Sequence, residues 1–376
     1  ALGAVMLPVN RRLSAEEVAF NLNDCGPVIL FVDPEFQEVI SGVRDQLSSV
    51  ESVYSLGVDK GHFEDMAPLF ENEGLFEPVD VAGTDGFVII HTAAVAGRPR
   101  GALLSHGNLL CANLVLNYGF NLGSDDVHLN LLPLFHVGGL FMATNTFQAG
   151  AQNINMRKFD ATKAVDLIDK FKVSILFDFS PILSSILDAG EKTGKKIGSL
   201  RAVMGLDTPD IIEAYQQRTG GTFYSLFGQT ETSCVVTMGP YSDRPGSAGR
   251  PVSFAMVQLL DDNDVPVPQG EVGEIAVKGP MVFQGYWNLP EETEATFRNG
   301  WHHTGDLGRL DADGYLWYSG RKPEKELIKP GGENVYPAEV EKVILEHPSC
   351  SPKPSRASRA FRAASNSRAK PQGFAS

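Results

Sequence analysis

The stretch DATKAVDLIDKFKVSILFDFSPILSSILDAGEKTGKKIGSLRAVMGLDTPDIIEAYQQRTGGTFYSLFGQTETS, residues 160–233, sets the fold class. From Asp160 to Phe171, the residues Ala164, Val165, Leu167, Ile168 and Phe171 recur at helical spacing. Val173–Phe177 is then short and apolar, as a strand is. Pro181–Ala189 reads as a helix. Leu200–Met204 and Thr222–Phe227 read as strands flanking a helix near Asp210–Thr219. Strand and helix alternating at this spacing predict a doubly wound α/β sheet. Ligands of such sheets sit outside the carboxyl ends of the strands. The loops after Leu200–Met204 and Thr222–Phe227 are therefore places to look for chemistry, as is the loop after a third apolar run, Phe87–His91.

Toward the N-terminus, Ser14 and Glu17 make a capping box ahead of Val18–Leu22. Val28–Val32 reads as a buried strand. The start, ALGAVMLPVN, has no initiating Met and no basic n-region, and reads as a chain entered mid-domain. Beyond Gly246, short β-like stretches (Val257–Leu260, Gly273–Lys278, Tyr315–Tyr318) alternate with Gly, Pro, Asp and Asn turns, which predicts a small β-rich, barrel-like subdomain. The expected organisation is a nucleotide-binding body over 1–245, a β-rich subdomain over 246–320, a hinge with the start of a further lobe over 321–349, and a disordered basic tail over 350–376.

The composition is that of a globular chain, 43 % hydrophobic and 21 % charged, with net charge -14. Six of the basic residues lie after Ser351, which leaves 26 basic against 46 acidic residues in the body. So acidic a body does not invite nucleic acid. A phosphate ligand must be held by local dipoles and a few placed cations. The four cysteines, Cys25, Cys111, Cys234 and Cys350, show no metal-ligand spacing and read as reduced buried thiols of a cytoplasmic protein. No apolar run is long enough to cross a membrane.

Four stretches carry chemistry. HTAAVAGRPRGALLSHGN, residues 91–108, joins a strand to a helix. Thr92 and Gly97 with Arg98 and Arg100 suit a loop that wraps polyphosphate, and suit a plain surface turn as well. YSLFGQTETS, residues 224–233, ends a strand at Phe227 and Gly228. Phe227 offers a flat face to a base, Gly228 lets a ligand approach the backbone, Thr230 offers a hydroxyl to phosphate, and Glu231 offers a hard oxygen to Mg²⁺. The competing reading is a polar helix start capped by Thr230 or Thr232. In GWHHTGDLGRLDADGYLWYSGR, residues 300–321, Asp306 can accept from a ribose diol, and Arg321 closes the block. Asp311–Gly314 is a turn. His302 and His303 lack partners at zinc spacing. GRKPEKELIKPGGENVYPAEVE, residues 320–341, suits a hinge loop.

In this order the four stretches resemble the adenylate-forming superfamily of acyl-CoA synthetases, peptide-synthetase adenylation domains and beetle luciferases, from about Gly3 to His347. GAVMLPVNRRLSAEEVAFNLNDCGPVILFVD is similar to its early helix–strand segment, and LPLFHVGGL, residues 132–140, to its acyl gate. FGQTE, WHHTGDLG and GGENVYPAEVE are its more specific signatures. The resemblance implies ATP-dependent activation of a carboxylic acid, expected to be fatty, to an acyl-adenylate and then to acyl-CoA. ATP or AMP, Mg²⁺ and coenzyme A are the implied cofactors, and a homodimer is an admissible assembly. It implies Thr230 on the α-phosphate, Glu231 on Mg²⁺, Phe227 stacked on adenine beside Gln229, and Gly205 lining the base pocket. Asp306 and Arg321 hold the ribose, His136 lines the acyl entrance, and Lys325 is the hinge.

The chain also departs from that family. The phosphate loop runs Thr92-Ala93-Ala94-Val95-Ala96-Gly97, with Arg100 where the pattern has lysine, so several hydroxyl donors are gone. After His347-Pro348 the chain becomes a Ser/Arg tail, without the catalytic lysine of the family's small α+β lobe. The chain reads as truncated at both ends, binding nucleotide with weak or no turnover. A domain that loads a carrier protein and a non-catalytic nucleotide binder are the alternatives.

Overall fold

The computed structural model describes residues 2–57, 61–71, 74, 77–92 and 99–322. Gly97 and Arg98, the hinge with Lys325, and the tail with Cys350 lie outside the described residues.

The first unit is a small parallel sheet under two helices. Helix α1 (Ala15–Cys25) starts at the expected capping box: Ser14 Oγ accepts from the Glu17 amide at 3.3 Å, and Glu17 Oε2 accepts from the Ser14 amide at 2.8 Å. It stops at Gly26, which takes φ 62° and returns its amide to the Leu22 carbonyl. β1 (Ile29–Val32), α2 (Gln37–Val43), β2 (Ser52–Ser55) and β3 (Glu64–Asp65) complete the unit, the strands parallel in the order β1-β2-β3. Val18, Leu22, Val32, Ile40 and Val53 form its core. The expectation of a buried strand here is corrected: Ile29 and Phe31 are about half exposed, because α1 and α2 cover only one face of the sheet.

After α3 (Ala67–Phe70), β4 (Gly86–Thr92) and β5 (Arg100–Ser105) form an antiparallel pair. α4 (His106–Phe120) follows, capped by Ser105 and Asn108 in a reciprocal pair of bonds. Then β6 (Val127–Asn130), α5 (Val137–Gln148), β7 (Gln152–Asn155), α6 (Ala161–Phe171), β8 (Ile175–Phe179), α7 (Ile182–Thr193), β9 (Ala202–Leu206), α8 (Pro209–Thr219), β10 (Thr222–Phe227), β11 (Thr237–Pro240) and β12 (Arg250–Pro251) build a mixed sheet in the order β12-β11-β10-β9-β8-β6-β7. β6 to β10 run parallel, and β11 and β12 antiparallel.

Alternation along each strand divides the core. Ile175, Phe177, Ala202, Met204 and Leu226 pack under α4 and α5, while Leu176, Val203 and Phe223 pack under α6, α7 and α8. The sheet is thus wound on both faces, as residues 160–233 predict. The order in which strands are added reverses between β6 and β8, which are parallel and share register at His128–Ile175. That switch point opens a crevice at the carboxyl ends of the strands.

The last unit is a curled antiparallel half-barrel. β13 (Met256–Leu260) and β14 (Gly273–Lys278) come first, and β15 (Gly285–Tyr286) returns to pair with β5. α9 (Pro290–Thr296), β16 (Phe297–Arg298), β17 (Trp301–Leu310) and β18 (Leu316–Arg321) finish it. The half-barrel's sheet is ordered β13-β14-β17-β16, with β18 on β17. The Asp311–Gly314 turn joins β17 to β18, as its Asp-Gly sequence predicts. Among the described residues no helix is long and apolar enough to cross a membrane.

Candidate active site

The crevice widens into a cavity of about 620 Å³. His136 and Val137 reach it from the start of α5, Phe177 and Phe179 from β8, Gly205 and Asp207 from β9 and the loop after it, and Phe227, Gln229, Thr230 and Glu231 from β10 and the turn after it. Thr92 and Arg100 line it from the β4–β5 pair, and Asp306, Tyr318 and Arg321 from the half-barrel. Every described residue expected from the sequence to hold a ligand therefore borders this one space.

Two glycines at the strand ends are required by the fold. A side chain at Gly205 would put Cβ 2.1 Å from the Asp178 carbonyl oxygen. One at Gly228 would put it 1.9 Å from the Cys234 carbonyl oxygen. Gly228 therefore makes room for the returning chain, which adds a structural reason to the ligand approach expected there. Beyond it, Thr230–Thr232 is a single 3₁₀ turn, and the Gln229 amide donates to Thr232 Oγ1 at 2.9 Å. Gln229 is the N-cap and Thr232 stands at the third position of the turn, so the expectation of a cap at Thr230 or Thr232 is corrected, while Thr230 lines the cavity.

Glu231 is buried, and its Oε1 accepts from the Tyr286 hydroxyl at 2.8 Å. The Arg100 guanidinium lies over the Tyr286 ring, 4.3 Å from its centre. Arg100 Nε is buried without a hydrogen-bond partner. A buried guanidinium donor left open beside a cavity suits an anionic ligand such as phosphate. Thr92 Oγ1 donates to the Arg100 carbonyl at 3.4 Å, which ties the two ends of the loop.

The Asp306 carboxylate accepts from three side chains. Oδ1 accepts from Arg321 Nε at 2.7 Å and from the Tyr318 hydroxyl at 3.1 Å, and Oδ2 accepts from Gln229 Nε2. Gln229 Nε2 also donates to the Thr304 carbonyl at 3.0 Å, so β10 is stitched to β17. A carboxylate has about four acceptor positions. One remains on Oδ2, so a diol that takes two displaces one of the present donors. Phe227 packs into the half-barrel core with Val236, Ala248, Leu259 and Leu316, and its ring centre lies 6.1 Å from that of Tyr318.

His136 has a structural task that its sequence context hides. Its Nδ1 accepts from the Gly138 amide at 3.1 Å and caps α5, so the ring proton sits on Nε2. Asp178, fully buried on β8, accepts from the Leu183 amide at 2.9 Å. Burial, with the Asp207 charge beside it, pushes its carboxyl up to about 8. Sequence reasoning missed Tyr286, Tyr318, Asp178 and Asp207. Tyr318 lies inside the third motif stretch, but nothing local marks the other three. The expectation of buried thiols holds for Cys111 and Cys234 and is corrected for Cys25, which is half-buried against His91.

No cluster of three or more His, Cys, Asp or Glu donors among the described residues includes Glu231. Mg²⁺ commonly takes one or two carboxylates with phosphate oxygens and water, so the single carboxylate of Glu231 on the cavity wall fits it.

A family model described as AMP-binding enzyme matches residues 1–287. The indoleacetate–CoA ligase of Aromatoleum aromaticum is 36 % identical over 356 residues, covering 92 % of this chain and 69 % of that protein. A Rhodopseudomonas palustris structure, provisionally assigned as a long-chain-fatty-acid CoA ligase, superposes with TM-score 0.82 at 46 % identity, covering 85 % of this chain and 80 % of that one. ATP-bound MatB of Rhodopseudomonas palustris superposes with TM-score 0.75 at 32 % identity, over 92 % of this chain and 68 % of that one.

Proposed function

We infer the function from one premise: this chain belongs to the AMP-binding enzyme family and is an acid–thiol ligase of the AMP-forming class. Its activity is the ATP-dependent conversion of a carboxylic acid to an acyl-adenylate and then to acyl-CoA. The single observation that carries this reading is the convergence of Arg100, Thr230, Glu231, Asp306 and Arg321 on the crevice at the switch point.

The work of such a site is to hold a carboxylate in line with the α-phosphate and to offset charge on the phosphate oxygens. In this proposal the open Arg100 Nε donates to phosphate, and the Thr230 hydroxyl donates to the α-phosphate. Glu231 holds Mg²⁺, which when bound neutralises phosphate charge. Gly205 and Phe227 border the base, with Gln229 between the base and the half-barrel. Asp306, steadied by Arg321, accepts from the ribose. The acid enters past His136, which lines the cavity. Phe177, Phe179, Val137 and Leu206 make the neighbouring wall apolar, which supports an acid with an apolar tail, such as a fatty acid. Cytoplasmic action and a homodimer belong to the same proposal, and sedimentation of the purified protein tests the second.

The test is calorimetric titration with ATP and Mg²⁺, alongside Asp306→Ala, followed by hydroxylamine trapping of acyl groups across a panel of fatty, aryl and short polar acids. Saturable binding lost in Asp306→Ala, with trapping confined to acids with apolar tails, is the expected result. Binding that is indifferent to the substitution contradicts the ribose assignment, and trapping of short polar acids alone contradicts the substrate class.

A further inference from the structure

Among the described residues, one trio of potential metal donors converges in space, and it lies away from the cavity. Asp24 and Cys25 are the last two residues of α1, and His91 is on β4. One donor atom from each lies within 4.8 Å of the others, and Cys25 Sγ is 3.9 Å from His91 Nε2. Strand alternation puts His91 and Thr92 on opposite faces of β4, so Thr92 borders the cavity while His91 faces the end of α1.

We propose that Asp24, Cys25 and His91 form a binding site for a thiophilic divalent transition metal, with Zn²⁺ the fitting biological ion. The donor set argues for this class. Thiolate sulfur and imidazole nitrogen favour zinc and its neighbours, whereas Mg²⁺ and Ca²⁺ require oxygen donors. Zinc bonds of ~2.3 Å to sulfur and ~2.0–2.1 Å to nitrogen at a tetrahedral centre put the two donors about 3.5 Å apart, close to the observed gap. Three protein donors leave the fourth position to water.

The surroundings hold the donors in place. Gly26 fixes the end of α1 in a left-handed turn immediately after Cys25, and Asn288 Nδ2 donates to the Asp24 carbonyl at 2.8 Å. His91 pairs across the ladder with Gly101, where a side chain would stand 3.5 Å from His91 Nε2. The absence of a side chain at Gly101 keeps that nitrogen accessible. All three donors are half-buried, so an ion can enter without the fold opening. Bound there, the ion cross-links the small parallel unit to the strand that leads into the phosphate-side loop. It joins segments 66 residues apart in sequence.

The experiment is titration of the full chain with Co²⁺, a spectroscopic substitute for Zn²⁺, in a Cys350→Ser background that removes the tail thiol. The expected result is one equivalent of Co²⁺ giving a near-ultraviolet thiolate-to-cobalt band and visible bands of a four-coordinate site, displaced by Zn²⁺ and not by Mg²⁺. Cys25→Ser, an isosteric change, loses the thiolate band, and His91→Asn weakens binding by at least about 10-fold. Glu231→Gln changes neither, which separates this site from the proposed magnesium position. Absence of the thiolate band in the parent leaves the Cys25–His91 contact as an ordinary hydrogen bond and overturns the proposal. So does a band that survives Cys25→Ser while circular dichroism reports the native fold.

Discussion

The Tyr286 hydroxyl donates to Glu231 Oε1 at 2.8 Å, across 55 residues of sequence, and so ties strand β15 to the turn after β10. Glu231 is thereby oriented by Tyr286, and the same ring carries the Arg100 guanidinium on its face. Tyr286→Phe keeps the ring and removes only the donor. Hydrogen bonds to charged groups are worth ~1.5–3 kcal/mol, so unfolding free energy falls by about that amount. ATP titrations at stepped Mg²⁺ shift to higher Mg²⁺, because the carboxylate is no longer held. Denaturant melts and calorimetry check both effects. An unchanged Mg²⁺ dependence would separate Glu231 from the metal.

Asp178 predicts a pH dependence of stability. Its folded carboxyl is pushed up to about 8 by burial and by Asp207, from an ordinary value of 3.8. Between those values the folded state keeps a proton that the unfolded chain has released. The contribution of Asp178 to stability therefore declines as pH rises from about 4 to 8. Asp178→Asn removes the titration, keeps an acceptor for the Leu183 amide and offers an amide N–H to Asp207. At pH 8.5 the variant is more stable than the parent by at least about 1.4 kcal/mol, the worth of one pKa unit, and the difference shrinks toward pH 5. Thermal melts from pH 5 to 9 measure it.

Glu274 carries the opposite sign. Burial raises its carboxyl, but His303, Lys322 and the Gly305 amide outweigh burial and hold it down to about 2. Lys322 Nζ lies 3.0 Å and His303 Nδ1 3.1 Å from Oε2. The stability this supplies is complete above the unfolded value of about 4.5 and is lost as pH falls toward 2. Glu274→Gln leaves Lys322 and Arg298 facing a neutral group and costs on the order of 3 kcal/mol at pH 7. Its acid unfolding curve is flatter than the parent's below pH 4.5.

Gly228 predicts a steric limit. A methyl group there meets the Cys234 carbonyl at 1.9 Å, and backbone cannot yield as a side chain can. Gly228→Ala unfolds at markedly lower denaturant, with a loss of about 3 kcal/mol or more, beyond the ordinary range for a point substitution. Gly198→Ala, where nothing lies within 4 Å, stays within about 0.5 kcal/mol of the parent. Equal melts for the two variants would refute the argument.

The double winding of the main sheet was legible because periodicity is local. Ala164, Val165 and Ile168 mark the buried face of α6 from their spacing alone, and Ser14 with Glu17 marks the start of α1. The motif around Thr230, Glu231, Asp306 and Arg321 was legible because those residues sit in short stretches of recognisable order, and they do border one cavity. The exposed outer face of β1 was not, since an apolar run does not say whether one or two layers will cover it.

The order of strands and helices, the placing of polar residues at strand ends and the glycines that permit close approach there are all readable along the chain. These follow from spacing, capping and steric rules that act over a few residues. Which of those residues meet is settled by packing: Gln229 with Asp306 over 77 positions, Tyr286 with Glu231 over 55, and Cys25 with His91 over 66. No local rule fixes such distances, because they depend on how the half-barrel and the small parallel unit pack against the central strands, where many weak contacts together choose one arrangement.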